Sequence, residues 1–193
     1  MPDSLSDSAL MLRFQEDGDY DAFGELFSRH KDAFVAYLNH LSGSTAIAED
    51  VSQHCWLKLI ESVGEGRYRP VAGASFRSYL YTLGRNRYID EYQRKHGESK
   101  RGSMPNLDDV EHPAEQPGDS AVASERKALL AEALAQLPLE QRDVIALWSA
   151  GVSIEHMVEI TAAPRDTVLS RKKYAMAKLK NAFASLGVTS YDG

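Results

Sequence analysis

Apolar residues recur along this chain at spacings of three and four, and strand-like alternation is absent. That period predicts amphipathic helices near residues 5–16, 20–42, 45–63 and 75–96, then near 121–136, 138–150, 154–161 and 166–186. The breakers fall between them. Ser42-Gly43-Ser44 separates the second helix from the third, Gly64-Glu65-Gly66 ends the third, and Pro70 and Gly73 keep the following stretch irregular. Pro138 suits a first helical position, Gly151 closes that helix, and Ser153 can cap the next. Residues 97–121 hold three prolines, three glycines and a run of acids, the composition of a linker. The expected fold is therefore all-α: two small helical domains, 1–96 and 122–193, joined by a flexible acidic linker at 97–121, the C-terminal one a helix-turn-helix.

The faces of these helices differ in kind. In 46–60, Ile47, Val51, Cys55 and Leu59 make an inward stripe, while Glu49, Asp50, Gln53 and Leu57 lie on another side. Carboxylate, amide and an apolar residue together can dock a basic partner helix, or can simply be solvated. In 76–95, Phe76, Leu80 and Leu83 form the apolar stripe, and Arg77, Tyr81, Arg85, Tyr88, Tyr92 and Lys95 line the largely opposite side. Five of the nine tyrosines lie between 68 and 92, so aromatic rings are interleaved with positive charge. Such rings suit unstacked bases and single-strand backbone, or else half-pack against neighbouring helices. In the last helix, Val168, Ala175, Met176, Leu179 and Phe183 fall together on the wheel, with Thr167, Ser170, Arg171, Tyr174 and Lys178 opposite. A short helix at 154–161, a tight turn and this basic rod have the form of a helix-turn-helix, whose second helix offers donors to a major groove. The bland alternative is an ordinary amphipathic C-terminal helix.

The net charge of the 193 residues is −6, which argues against nucleic acid only if it is evenly spread. Residues 1–30 carry a net −5 and residues 102–125 a net −6, whereas 77–101 carry +4 and 165–180 carry +5. Local fields govern encounter with a polyanion, so the two basic stretches outweigh the total.

Other chemistry is sparse. The one cysteine, Cys55, rules out an intrachain disulfide and a cysteine zinc cluster, and a reducing cytoplasm is the expected compartment. No apolar run reaches spanning length, and the acidic N-terminus does not read as a secretory signal. Asp108, Asp109 and Glu111 lie in the Pro/Gly-rich segment, with no rigid element to fix a metal. No nucleophile–base pair and no glycine-rich phosphate loop is present. The expectation is a protein that is not an enzyme, without cofactor or metal.

Three segments in order resemble the extracytoplasmic-function class of bacterial RNA polymerase sigma factors. Ala48-Glu-Asp-Val-Ser-Gln-His-Cys-Trp-Leu-Lys-Leu is similar to the region that binds core polymerase. Phe76-Arg-Ser-Tyr-Leu-Tyr-Thr-Leu-Gly-Arg-Asn-Arg-Tyr-Ile-Asp resembles the helix that melts and reads the −10 element. Leu137-Pro-Leu-Glu-Gln-Arg-Asp-Val, Gly151-Val-Ser-Ile-Glu and Thr167-Val-Leu-Ser-Arg resemble the −35-reading domain. The resemblance implies that residues 1–96 bind core polymerase on the clamp helices of its beta-prime subunit, through Glu49, Asp50, Gln53 and Leu57. It implies that the loop at about 61–75 and the helix after it open and hold the −10 element, with Arg67, Tyr68, Arg77, Arg85, Asn86 and Tyr88. The linker would run through the polymerase. Thr167, Ser170, Arg171, Tyr174 and Lys178 would read the −35 element. It further implies the beta subunit and promoter DNA as partners, an anti-sigma factor, and a cytoplasmic protein with no membrane insertion of its own. The alternative is a helix-turn-helix regulator that never engages core polymerase, which leaves 45–95 without a purpose.

The departures from the family pattern are specific. His54 stands where an acid is common, Tyr79 for tryptophan, and Gly84 for alanine, which costs a helix interior about 1 kcal/mol. His156-Met157-Val158 replaces an acidic-Ile-Ala pattern, and Thr161-Ala162 replaces Leu-Gly. Asp166, in place of glycine, can cap the last helix, and Leu169 stands where lysine is common.

Overall fold

A computed structural model of the chain describes residues 5–62, 75–97 and 121–185. Among these residues there are eight helices and no strand: α1 Asp7–Asp17, α2 Tyr20–Ser42, α3 Thr45–Glu61, α4 Phe76–Gly97, α5 Ala121–Ala135, α6 Leu139–Ser149, α7 Ile154–Thr161 and α8 Arg165–Ser185. The all-helical expectation holds, and the bounds agree with the periodicity to within two residues.

The helix ends are set by local chemistry. Asp19 opens α2, its Oδ1 accepting from the amides of Asp21 at 3.1 Å and Ala22 at 3.0 Å. The Ala22 amide above all, with Arg13 beside it, holds the Asp19 carboxyl below the usual range. Gly43 ends α2 in the left-handed region at φ 73°, and Ser44 then caps α3 through the Ile47 amide. Ser153 caps α7 through the His156 amide at 3.3 Å. α8 starts at Arg165, with Pro164 O accepting from the Val168 amide. Asp166 is therefore a first-turn acid on the helix dipole, not the cap.

α2, α3 and α4 pack around an aromatic centre. Phe34 meets Tyr81 at 5.5 Å and Trp56 at 6.2 Å between ring centroids, and Tyr37 meets Tyr81 at 4.9 Å. α4 runs so close to α2 that a Cβ at Gly84 would sit 2.5 Å and 2.7 Å from Phe34 Cζ and Cε2. Gly84 is thus a packing requirement, not merely a weak helix former.

The two groups of helices share one core. α2 packs on α6 and α4 packs on α7. The buried cluster runs from Phe34, Leu80 and Tyr81 into Val144, Leu147, Val152 and Met157. A second, smaller cluster of Leu134, Leu137, Ile145, Ala175 and Leu179 ties α5, α6 and α8. α4 is consequently covered on two sides, and of the two alternatives for its tyrosines packing against neighbouring helices is the one observed: Tyr81 is fully buried and Tyr88 is 4% exposed. On α8 the packing stripe is Val168, Ala175, Leu179 and Ala182, while Met176 is exposed rather than packed.

Candidate nucleic-acid and partner interfaces

α3 buries Ala48, Val51, Ser52, Cys55, Trp56 and Leu59. That places Glu49, Asp50, Gln53 and Leu57 in solvent together, with Leu57 half exposed. An exposed leucine flanked by two carboxylates and an amide is a surface for a partner with basic and apolar groups. Beside it, Phe27 of α2 lies edge-on to Trp56 at 5.0 Å and is itself partly exposed. Phe27 carries no signal of its own in the sequence, since it is one of several apolar positions of α2 and only its place beside Trp56 marks it. Cys55 lies in the core, and burial pushes its thiol up to about 12. No group of three possible metal ligands occurs among the described residues.

The second set is divided. Arg67 and Tyr68 lie outside the described residues. Asn86 is exposed. Arg85 is turned inward: its Nε donates to Asp143 Oδ2 at 2.6 Å, and its side chain is 18% exposed. Arg77 donates to the carbonyl of Ala150 and lies over the ring of Tyr81. Tyr88 is buried. Of the four described candidates, only Asn86 faces open solvent in this arrangement.

Asp143 of α6 belongs to this set, although the sequence suggests no role for it. It is 2% exposed and also accepts from Tyr37 OH at 3.0 Å. Burial pushes its carboxyl above the usual range, and Arg85, Tyr37 and the more distant Arg171 pull it part of the way back. Burial and the Asp143 charge raise the Tyr37 hydroxyl well above its ordinary value, which keeps it a donor. Asp143 ends the polar stretch Glu140-Gln141-Arg142 and precedes the apolar run Val144–Leu147, so the sequence alone does not set it apart.

α8 presents its polar face outward. Ser170, Tyr174 and Lys178 are exposed, Tyr174 by 60%, and Thr167 and Arg171 are half-buried. Behind them Val168, Ala175 and Leu179 anchor the helix on α6 and α7. Hydroxyl, guanidinium and ammonium groups on a rigid rod can reach base edges and phosphates. Trp148 of α6, also exposed, carries Lys172 Nζ 4.5 Å over its ring and so holds one cation of α8 sideways.

Residues 26–98 match the Sigma-70 region 2 family model. Over 165 residues the chain is 29% identical to the ECF RNA polymerase sigma factor BldN of Streptomyces coelicolor, a match that covers 82% of this chain and 60% of that protein's length. Over 168 residues it is 32% identical to the ECF RNA polymerase sigma factor SigL of Mycobacterium tuberculosis, covering 85% of this chain and 90% of SigL. In fold it is similar to the sigma factor RpoE from Bartonella quintana, solved in complex with the anti-sigma factor NepR, at a TM-score of 0.64 and 23% identity, covering 84% of this chain and 96% of that one.

Proposed function

Since the chain belongs to the extracytoplasmic-function class of RNA polymerase sigma factors, we infer that it binds core RNA polymerase and directs it to promoters by reading −35 and −10 elements and opening the DNA. The observation that carries this is the 32% identity to SigL, which runs through both groups of helices. A plain helix-turn-helix regulator would match only the second. The chain acts as an initiation factor, and its partners are core polymerase, promoter DNA and an anti-sigma factor. Its place of work is the cytoplasm, where the polymerase is. No described helix is long and apolar enough to cross a membrane.

The division of labour follows the faces. Residues 1–96 form the core-binding and −10 unit, 97–121 the linker, and 122–193 the −35 unit. Glu49, Asp50, Gln53 and Leu57 seat α3 on the beta-prime clamp helices. The carboxylates select basic groups there, and Leu57 contributes apolar contact at the centre of the patch. Arg67 and Tyr68, with Arg77, Arg85, Asn86 and Tyr88 of α4, hold the opened −10 strand by charge and stacking. On α8, Arg171 takes both acceptors of a guanine edge, Thr167, Ser170 and Tyr174 contact neighbouring base edges and backbone, and Lys178 meets phosphate.

Run-off transcription with core polymerase over a promoter library tests this reading. The expected result is transcripts that begin downstream of a shared pair of elements. No transcript above core polymerase alone would refute it.

A further inference from the structure

We propose that the cavity between α2 and the corner of α5 and α6 binds a small monocarboxylate with an apolar body about the size of one six-membered ring, the carboxylate held by Arg142. None of the lining residues belongs to the faces assigned to polymerase or promoter.

The cavity measures about 160 Å³. An apolar cavity of about 150 Å³ takes up a benzene ring, so this space admits a ligand of that bulk. Its two sides differ in chemistry. Leu130, Leu134 and Ala135, on one face of α5, offer apolar wall and no polar side chain. Asn39 and His40, near the end of α2, and Arg142 of α6 supply the polar side. No acid lines the cavity among the described residues.

The polar side has donors to spare. Arg142 Nε is buried without a hydrogen-bond partner, and the guanidinium has no ion pair among the described residues. Asp143, its neighbour in the chain, is already bonded to Arg85 and Tyr37. Asn39 Oδ1 accepts from Thr45 Oγ1 at 3.5 Å, which leaves the Asn39 amide nitrogen to donate. His40 Nδ1 lies 3.2 Å from Ser149 Oγ, and burial holds the ring below its ordinary value, so at neutral pH it adds no charge. Arg142 is therefore the cation of the site.

A buried N–H without a partner costs free energy that an acceptor recovers, and a carboxylate meets the guanidinium fork with two oxygens. An inorganic anion would leave the α5 wall without contact, and a neutral ring would leave Nε unmet. A monocyclic aromatic acid is the simplest ligand that answers both sides. The walls come from α2 on one side and from α5 and α6 on the other, so occupancy stabilises this packing of the helices.

The test titrates benzoate calorimetrically into the full chain at neutral pH and constant ionic strength, with benzyl alcohol and inorganic phosphate as probes of its apolar and anionic halves. The expected result is one benzoate per chain with a Kd of about 0.1–1 mM, the range open to so small a ligand. At about 10 mM benzoate the Tm rises by about 3–10 °C. Benzyl alcohol binds at least about tenfold more weakly, and phosphate does not displace benzoate. Arg142→Gln lowers benzoate affinity at least about tenfold and leaves the affinity for benzyl alcohol unchanged. Ala135→Leu, which fills the space and keeps the charge, abolishes uptake; should it fail to fold, the half-buried Arg142 position still decides. Neither heat nor a Tm shift at about 10 mM benzoate, an affinity indifferent to both substitutions, benzyl alcohol binding as tightly as benzoate, or displacement by phosphate would overturn the site.

Discussion

Replacing Gly84 by alanine should destabilise this protein, although alanine is the better helix former and the residue the family pattern leads one to expect. Helix propensity alone favours the change by about 1 kcal/mol. Against it stands the ring of Phe34. The added methyl would lie 2.5 Å from Cζ and 2.7 Å from Cε2, and 3.3 Å from Leu38 Cδ2. Ordinary contact would need about 1 Å more on each ring atom. The ring has no free space to move into, because Phe34 is fully buried among Tyr37, Trp56 and Tyr81. Overpacking of that kind costs about 1–3 kcal/mol, and confinement by three aromatic neighbours places it at the upper end. The net loss is then about 2 kcal/mol, or a fall in Tm of about 4–8 °C for a chain of this size. Thermal and urea unfolding followed by far-ultraviolet circular dichroism measure it. The partner experiment is Phe34→Leu, since leucine lacks both clashing atoms. In that background Gly84→Ala should become neutral to stabilising. A higher Tm for Gly84→Ala in the wild-type background would refute the reasoning, as would simple additivity of the two changes.

Asp50→Arg should abolish co-purification with core polymerase while shifting stability by no more than about 0.5 kcal/mol, as expected of an exposed site; retained binding by the folded variant refutes the α3 face. Arg171→Ala should relax preference at one or two −35 positions, whereas Lys178→Ala should weaken all promoters alike and lower the salt slope by about one unit, as read by promoter-library transcription and binding at several salt concentrations. Ala162 is the one non-glycine residue with positive φ among those described, at 52°, so Ala162→Gly should raise stability by up to about 1 kcal/mol in the same unfolding assays. With its thiol raised to about 12, Cys55 should resist maleimide or disulfide reagents from pH 7 to 9 in the folded chain. It should react at its ordinary rate in denaturant, and fast native labelling would contradict its burial.

The helices were legible because each has a local cause: Ser153 as a cap, Ser42-Gly43-Ser44 as a break, and a regular stripe between such marks. Both exposed faces were legible for the same reason, since Asp50 and Tyr174 lie opposite stripes that the period defines. What covers a second face was not. Tyr81 and Tyr88 share a side with Arg77 and Arg85, and periodicity assigns that side to solvent. The rings of Phe34 and Tyr37 on α2 meet Tyr81, and α7 packs on α4 from more than fifty residues away; neither approach is visible in the period of α4. Gly84 was read as a helix defect because its reason, the Phe34 ring, lies on another helix. Asp143 carried no visible role, since an acid at the end of the polar stretch Glu140–Asp143 shows its partners only in three dimensions. Met176 went wrong by angle: at the margin of its stripe, a few tens of degrees decide between packing and water.

Asp143 lies buried where α6 meets α2 and α4, bonded to Tyr37 and Arg85. Taking Asp143 and Arg85 out of water costs free energy of the same order as their attraction returns, so such a pair contributes little to how tightly two surfaces adhere. Its effect is on register. Any sliding of α6 along α2 and α4 would leave a charge and a hydroxyl without partners in an apolar surround, at several kcal/mol. Full separation, by contrast, returns all three groups to water. Misaligned arrangements are therefore the unfavourable ones, and the pair specifies where α6 rests on α2 and α4 more than how firmly it is held there.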